Sequence, residues 1–433
     1  MVFFIYNLMK KIFSFLCLLL LSLLVGVNNV YAQKRIKNEK FGFYINGKHQ
    51  IGSKIRFELY SNLIVVKLKI NNSDTLNFIL DTGVSSFIIT DPSLAEKLGL
   101  VFSRQVRING AGENAFINAN VSIGHSIALG NVKAEKQNLV VLESDILKLS
   151  EYMGIPIHGI FGHDLFDRFA VKIDFGTKEI RLYEPKKFKY KKSKGEMYPL
   201  VVTQSKPYIE AIEMAQNTDQ AFTKLRLVID TGSGHALMLN TQDRPHIHLP
   251  EKVIRANLGK GLNGEINGHI GRIDRFRIGK YEFKDVLASF PDSLSFGLKF
   301  SETAEVRQGS IGGEFLRRFV ITFNYREGYL IFKPLNTKKR ETFEHDMSGM
   351  EVRARGDEYN DFFVSFVTPN SQADKAGVKE GDQIIFMNNK HYKELSINDI
   401  YKKLSSKEGT QVEFFIRRNG ELRLFYFKLK RVI

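Results

Sequence analysis

The 433-residue chain contains no tryptophan, one cysteine and only ten prolines. The cysteine, Cys17, falls inside an apolar run from Ile12 to Val27, so everything after that run lacks a thiol. This excludes a cysteine nucleophile, a thiolate metal centre and stabilisation by internal disulfides. It remains compatible with an oxidising compartment. No later segment approaches the ~20 apolar residues needed to span a bilayer. Long helical periodicity is almost absent, and a coiled coil is excluded with it.

The remaining composition is that of a globular chain, 43% apolar and 25% charged, with 34 glycines and 35 phenylalanines that point to tight turns and aromatic cores. The length allows two to four domains. Lys10 and Lys11 precede the apolar run, and Val30-Tyr31-Ala32 follows it. Residues 1–32 therefore read as an export signal cleaved after Ala32, leading to a periplasmic or extracellular protein with no membrane span after cleavage. The formal charge of +16 would suit nucleic acid. Much of it is gathered into Lys186 to Lys194 and Lys338-Lys339-Arg340, which lie between patterned segments and read as solvated linkers. Export and this placement argue against a nucleic-acid partner.

The chain contains itself twice. Asn77-Phe78-Ile79-Leu80-Asp81-Thr82-Gly83 recurs as Arg226-Leu227-Val228-Ile229-Asp230-Thr231-Gly232. The same distance after each aspartate comes a glycine turn, Gly110-Ala111-Gly112 and Gly259-Lys260-Gly261. Farther on, the stretch from Gly159 to Phe169 answers the one from Gly309 to Phe319, and each copy closes with a hairpin-like stretch around Gly176 or Gly328. Three landmarks in register exclude chance. The apolar spacing at Val65 to Ile70, Phe78 to Leu80 and Phe87 to Ile89 is strand-like, and one short helix is expected from Ser93 to Leu98 behind Asp91-Pro92. Two similar β-domains imply a pseudo-two-fold axis.

A single Asp-Thr-Gly is more often a surface turn than a catalytic loop. Two copies at equivalent ends of apolar strands bring two carboxylates beside the axis, where like charges a few ångströms apart share one proton. The ionised member can then take a proton from water while the protonated member polarises a carbonyl.

Over roughly residues 55 to 334 this pattern resembles the aspartic peptidases, through both Asp-Thr-Gly triplets and through the elements Ile160-Phe161-Gly162 and Ser310-Ile311-Gly312. The resemblance implies catalytic Asp81 and Asp230, loop residues Thr82, Gly83, Ser85, Thr231, Gly232 and Ser233, and flaps at Gly110, Gly112, Gly259 and Gly261. Thr82 and Thr231 would hydrogen-bond across the dyad. A flap in each half is more like a fused retropepsin-type pair than a pepsin. The second loop has Gly234 where the first has Ser85. We therefore expect Ser85 to donate to Asp81, making Asp81 the ionised base and Asp230 the protonated partner.

From about Met347 a different pattern begins. Ser371-Gln372-Ala373, Ala376-Gly377, Gly381-Asp382 and Ile384 form a run similar to the PDZ domain, with a second helix expected from Asp399 to Leu404 and strands from Val412 to Arg417 and Leu422 to Leu429. The resemblance implies capture of an extended peptide terminus by strand addition, with the capturing loop near Tyr359, Asn360, Asp361 and Phe362. No Gly-Leu-Gly-Phe-like string stands there, so peptide capture and simple docking on the catalytic unit both stay open.

His246 and His248 read as surface, and His235 reads as cleft wall. Asp174 reads as a hairpin-turn acid, and Asp164 and Glu314 as caps of short helices. Neither metal nor cofactor is expected. The expected architecture is mainly β: an N-terminal lobe at 33–190, a C-terminal lobe at 191–340 and an α+β PDZ domain at 345–433. The expected activity is that of an exported aspartic endopeptidase acting on peptide or protein substrates. A peptide-binding scaffold that works without catalysis, through its cleft and PDZ domain, is the alternative.

Overall fold

The computed structural model describes residues 42–46, 53–112, 116–217, 220–241, 246–292 and 308–433. The expected export signal lies outside them. Among the described residues, no helix is long and apolar enough to cross a membrane.

The chain is mainly β, and each half of the repeat closes into a six-stranded barrel. The first barrel runs, in spatial order, Leu63–Ile70, Leu76–Leu80, Gly159–Phe161, Phe87–Ile89, Val132–Leu142 and Ile117–Leu129. It closes where Lys69 and Ile70 pair with Ala128 and Ile127. The second runs Lys206–Ala215, Thr223–Ile229, Gly309–Ile311, Leu237–Leu239, Tyr281–Pro291 and Gly264–Ile278, and closes through Ile212 and Ile278. Closure removes the free edges that an open sheet of such apolar strands would expose. Strand sequences explain the layering: Leu76–Leu80 is buried at four of its five residues, whereas Ser53–Tyr60 alternates buried and exposed over its first six.

A third sheet joins the lobes. Its order is Glu196–Pro199, Tyr329–Pro334, Phe319–Asn324, Ala170–Asp174, Glu179–Tyr183 and Ser53–Tyr60. The lobes meet at its centre, where Val171 pairs with Phe323 and Ile173 with Ile321. Every residue of Phe319–Asn324 is buried. The barrels and this sheet share one core, rich in phenylalanine as the composition implied. Asp174 caps its hairpin turn as expected, accepting from the Gly176 and Thr177 amides at 3.0 and 3.1 Å. The lysine-rich linker is ordered rather than merely solvated: Phe188 is buried in a small satellite cluster, with Lys194 Nζ 3.9 Å above its ring.

Helix Pro92–Lys97 begins behind Asp91, whose side chain accepts from the Ser93 amide. The expected capping role of Asp164 and Glu314 is not what the structure has. Neither helix, His163–Arg168 or Gly313–Leu316, has a side-chain cap, and Glu314 instead holds Arg317 and the wholly buried Arg318. A guanidinium that close offers a carboxylate a stronger bond than a neutral amide does. Arg318 also lies 3.7 Å from the Phe343 ring and donates to the carbonyls of Glu341 and Thr342, which fixes the chain as it leaves the second lobe.

The C-terminal domain is a separate sheet ordered Met350–Arg355, Asp361–Val367, Gln383–Met387, Gln411–Arg418 and Glu421–Lys428, with the short strand Lys390–His391 beside the third. Its core is distinct from that of the lobes. Helix Gln372–Ala376 is capped by Ser371 and ended by Gly377 at φ +88°. Helix Ile397–Leu404 starts two residues before the expected Asp399, because Ser396 and Asp399 form a capping box. Asp382 is wholly buried and takes Arg418 in a two-pronged pair at 2.6 and 2.7 Å. That pairing supplies the physical reason for an aspartate in the Gly381-Asp382 turn.

Candidate active site

Each aspartate follows the last residue of an inner barrel strand. The Asp81 amide donates to Phe161 O at 2.8 Å and the Asp230 amide to Ile311 O at 2.9 Å, so the parallel neighbour strand sets each loop in the same way. The two loops are locked together by their threonines. Thr82 Oγ1 donates to Ile229 O at 2.6 Å and accepts from the Thr231 amide at 3.0 Å. Thr231 Oγ1 donates to Leu80 O at 2.8 Å and accepts from the Thr82 amide at 3.0 Å. Both side chains are buried, so this reciprocal set satisfies every group it removes from water.

The glycines of the triplets let the carboxylates converge. A Cβ on Gly83 would lie 3.0 Å from Asp81 Oδ1 and 3.4 Å from Asp230 Oδ1, and one on Gly232 would lie 2.1 Å from Asp81 Cγ. Each α-carbon thus touches the carboxylate of the opposite lobe. Gly83 N–H donates to Asp81 Oδ1 at 2.6 Å and Gly232 N–H to Asp230 Oδ1 at 3.1 Å. Asp81, Asp230, Gly83, Ser85, Gly232, Ser233 and His235 all line one cavity of about 760 Å³. Ser85 is exposed to it, whereas Ser233 Oγ is buried without a hydrogen-bond partner among the described residues.

The cavity is roofed by two hairpins that clasp each other. Gly110 N–H donates to Asn263 Oδ1 at 3.1 Å, and Asn263 N–H donates to Ala111 O at 2.8 Å. Asn263 is wholly buried in the join. A Cβ on Gly112 would fall 2.3 Å from the Asn263 carbonyl carbon, and one on Gly261 would fall 2.2 Å from Ala111 O. Of the four expected flap glycines, three therefore stand at the join. Gly259 does not: it marks a bulge in strand Val253–Gly261, held by Asn257 Oδ1 at 2.8 Å.

The aspartyl protease family pattern matches residues 66–165 and again 217–315, and the PDZ pattern matches residues 337–416. The chain carries a duplicated aspartyl protease domain and a PDZ domain. No curated protein is found to match it. The first match begins inside strand Leu63–Ile70 of the first barrel and ends just past the Gly159–Phe161 element, so it covers the units that build the Asp81 loop.

Tyr325 is a site residue that motif reading passes over. Its ring stacks on Phe166 of the first protease lobe at 5.5 Å and lies 6.1 Å from His163. Burial, then the Asp81 and Asp230 charges, push its hydroxyl well above the ordinary tyrosine range. That hydroxyl has no hydrogen-bond partner among the described residues. The only sequence signal is that the equivalent position in the first lobe is Phe175.

The PDZ placement differs from the expected one. Tyr359 and Asn360 belong to the turn into strand Asp361–Val367, which also carries Asp361 and Phe362, and this strand is not the one beside helix Ile397–Leu404. The helix packs on the preceding strand, Met350–Arg355: the Val352 amide donates to Tyr401 Oη at 3.0 Å, and Tyr401 Oη donates to Val352 O at 2.9 Å. The loop entering that strand is Asp346 to Gly349, and the Met347 amide donates to Leu404 O at the helix end. The Asp346 carboxylate accepts from the Ser348 and Gly349 amides at 3.0 and 2.8 Å, and desolvation pushes its pKa up to about 6. The amides that would receive a peptide carboxylate already hold an internal one. His246 and His248 are both exposed on either side of the buried Ile247.

Proposed function

We propose that this protein is an exported aspartic endopeptidase, with peptide lying extended between the dyad and the clasped hairpins. The observation that carries the reading is the close approach of both triplets, in which each glycine α-carbon rests against the opposite carboxylate at the floor of one roofed cavity. Two carboxylates held so near each other share a proton, and the pair then activates water and polarises the scissile carbonyl without metal or covalent intermediate. Asp81 acts as the base and Asp230 carries the proton. The Ser85 hydroxyl exposed to the same cavity, the glycine at the matching position 234 and the shorter amide contact at Asp81 support that assignment.

The test is hydrolysis of unstructured polypeptide, blocked by a statine-type transition-state mimic. Asp81→Asn and Asp230→Asn are each expected to lower kcat by roughly 10²–10⁴-fold while the fold is kept. Persistent hydrolysis in both variants removes the proposal, and peptide binding without any hydrolysis by the unsubstituted chain converts it to the scaffold reading.

A further inference from the structure

The cleft wall is not built by the protease lobes alone. Asn398, Tyr401 and Ser405 of the PDZ domain line the same cavity as Asp81 and Asp230. Steps of three and four residues place them on one helical stripe, while Ile397, Ile400 and Leu404 on the adjacent stripe are buried in the PDZ core.

This stripe is held in place from several sides. The Ser61 amide donates to Asn398 Oδ1 at 3.1 Å, and Asn398 Nδ2 donates to Leu59 O at 3.0 Å. The same turn reaches the second catalytic loop, where Asn62 Nδ2 donates to Gly234 O at 3.1 Å. Arg353 donates to Tyr152 Oη at 2.7 Å and lies 3.8 Å from its ring, tying the PDZ edge strand to helix Leu149–Met153 of the first lobe. On the second lobe, Arg272 donates to the carbonyls of Phe343 and Ile433 at 2.9 and 3.1 Å, and Glu344 pairs with Arg272 and Arg431. Meanwhile Tyr401 occupies the strand edge where an added peptide would pair, and Asp346 occupies the amides that would take its carboxylate.

The geometry points to the PDZ domain as a fixed wall of the substrate cleft: the Asn398–Tyr401–Ser405 stripe reads a flanking side chain of the peptide that crosses the dyad, in place of capturing a second peptide. The inference rests on the peptide-cleft reading above. Leu147, Leu149 and Met153 line the same cavity, and helix Leu149–Met153 contacts helix Ile397–Leu404, so the residue read is a large apolar one.

The test uses the full chain carrying Asp81→Asn, so that binding is measured without turnover. Fluorescent peptides that differ only by Phe, Leu, Ala or Gly at one flanking position are titrated by anisotropy, and each flanking position is scanned in turn. The expected result is roughly a tenfold preference for the large residues at one position. Tyr401→Ala should erase it there and leave the other positions unchanged. Because Tyr401→Ala also frees the Val352 edge, Ser405→Trp serves as a second variant: it narrows the wall from the same stripe and should turn the preference toward Ala and Gly. Peptides with free and amidated C-termini should bind alike. An unchanged preference profile in both variants, dependence on a free C-terminus, or no peptide binding at all overturns the inference. Hydrolysis by the unsubstituted chain is scored separately. Its absence beside a Tyr401-dependent binding profile sinks the catalytic reading and leaves this one standing.

Discussion

Asp81 and Asp230 end matching strands, donate their amides to matching carbonyls and are joined by a threonine pair that treats both lobes alike. Two residues beyond that symmetric floor the lobes diverge. Ser85 opens onto the cavity, whereas a side chain at Gly234 would meet Ser61 O at 2.7 Å. The turn that carries Ser61 and Asn62 also touches Gly313, and its neighbours hold the PDZ helix. The second loop thus loses its hydroxyl because the first lobe's hairpin, pinned by the C-terminal domain, fills the space. At the sheet that joins the lobes the pattern repeats, with Tyr325 against Phe166 at the position where the first lobe has Phe175 against Phe57. A duplicated frame has kept the contacts that hold two acids together and altered those that make the acids different.

Gly232→Ala against Gly83→Ala tests that difference most severely. The added methyl at 232 would overlap the Asp81 carboxyl at 2.1 Å, while at 83 it meets a carboxylate oxygen at 3.0 Å. Displacing a catalytic group by about 1 Å costs on the order of a hundredfold, so kcat should fall at least that much in Gly232→Ala and by less than about tenfold in Gly83→Ala. Equal losses, measured with Tm as a check on folding, would mean that the two carboxylates are equivalently seated. Next in size, Ser85→Ala removes a donor from the ionised form, so the acid limb of the pH–rate profile should move to higher pH by up to about one unit. A stationary limb would detach Ser85 from the dyad and with it the assignment of Asp81 as base.

The smallest effect lies away from the cleft. His158 Nδ1 accepts the Asn77 amide at 3.1 Å, and at the equivalent place in the second lobe Gln308 Oε1 accepts the Arg226 amide at 2.6 Å. Burial holds the His158 pKa below 6.5, so the folded state binds this proton less readily than the unfolded chain. The stability this contributes is present above pH 6.5 and is lost as pH falls through that value, whereas Gln308 does not titrate. His158→Gln should flatten the fall in unfolding midpoint between pH 7 and 5, and Gln308→His should steepen it. Parallel profiles in all three chains would show that the two positions are interchangeable.

Much of the protease unit was legible because its constraints are local. A strand that ends in Asp-Thr-Gly, a glycine where two backbones touch and an Asp91-Pro92 helix start each leave a mark within a few residues. The repeat then supplied the long-range pairing that single segments never show. What sequence reading missed depends on which surfaces meet. Glu314 is an exception, because the arginines it holds stand three and four residues farther along the chain and were open to a local reading. The peptide-capturing loop expected near Tyr359 to Phe362 leads into the apolar strand Asp361–Val367. The strand beside the helix is instead Met350–Arg355, which alternates and is less conspicuous. Tyr325 and the PDZ stripe carry no motif, since their roles come from what lies across an interface.

The join between the two hairpins has a kinetic consequence. The two hydrogen bonds of Asn263, one accepted by its side-chain oxygen and one donated by its backbone amide, are worth together about 1–3 kcal/mol, so the shut state outnumbers the parted one by roughly ten- to a hundredfold. The rate at which a peptide enters is reduced by that same fraction, and for the proposed peptidase lifting the roof, a microsecond-to-millisecond event, becomes a candidate for the slow step. Threadlike, already unravelled chains can slip beneath such a door in the brief intervals when it stands ajar; a compact domain has no comparable way in.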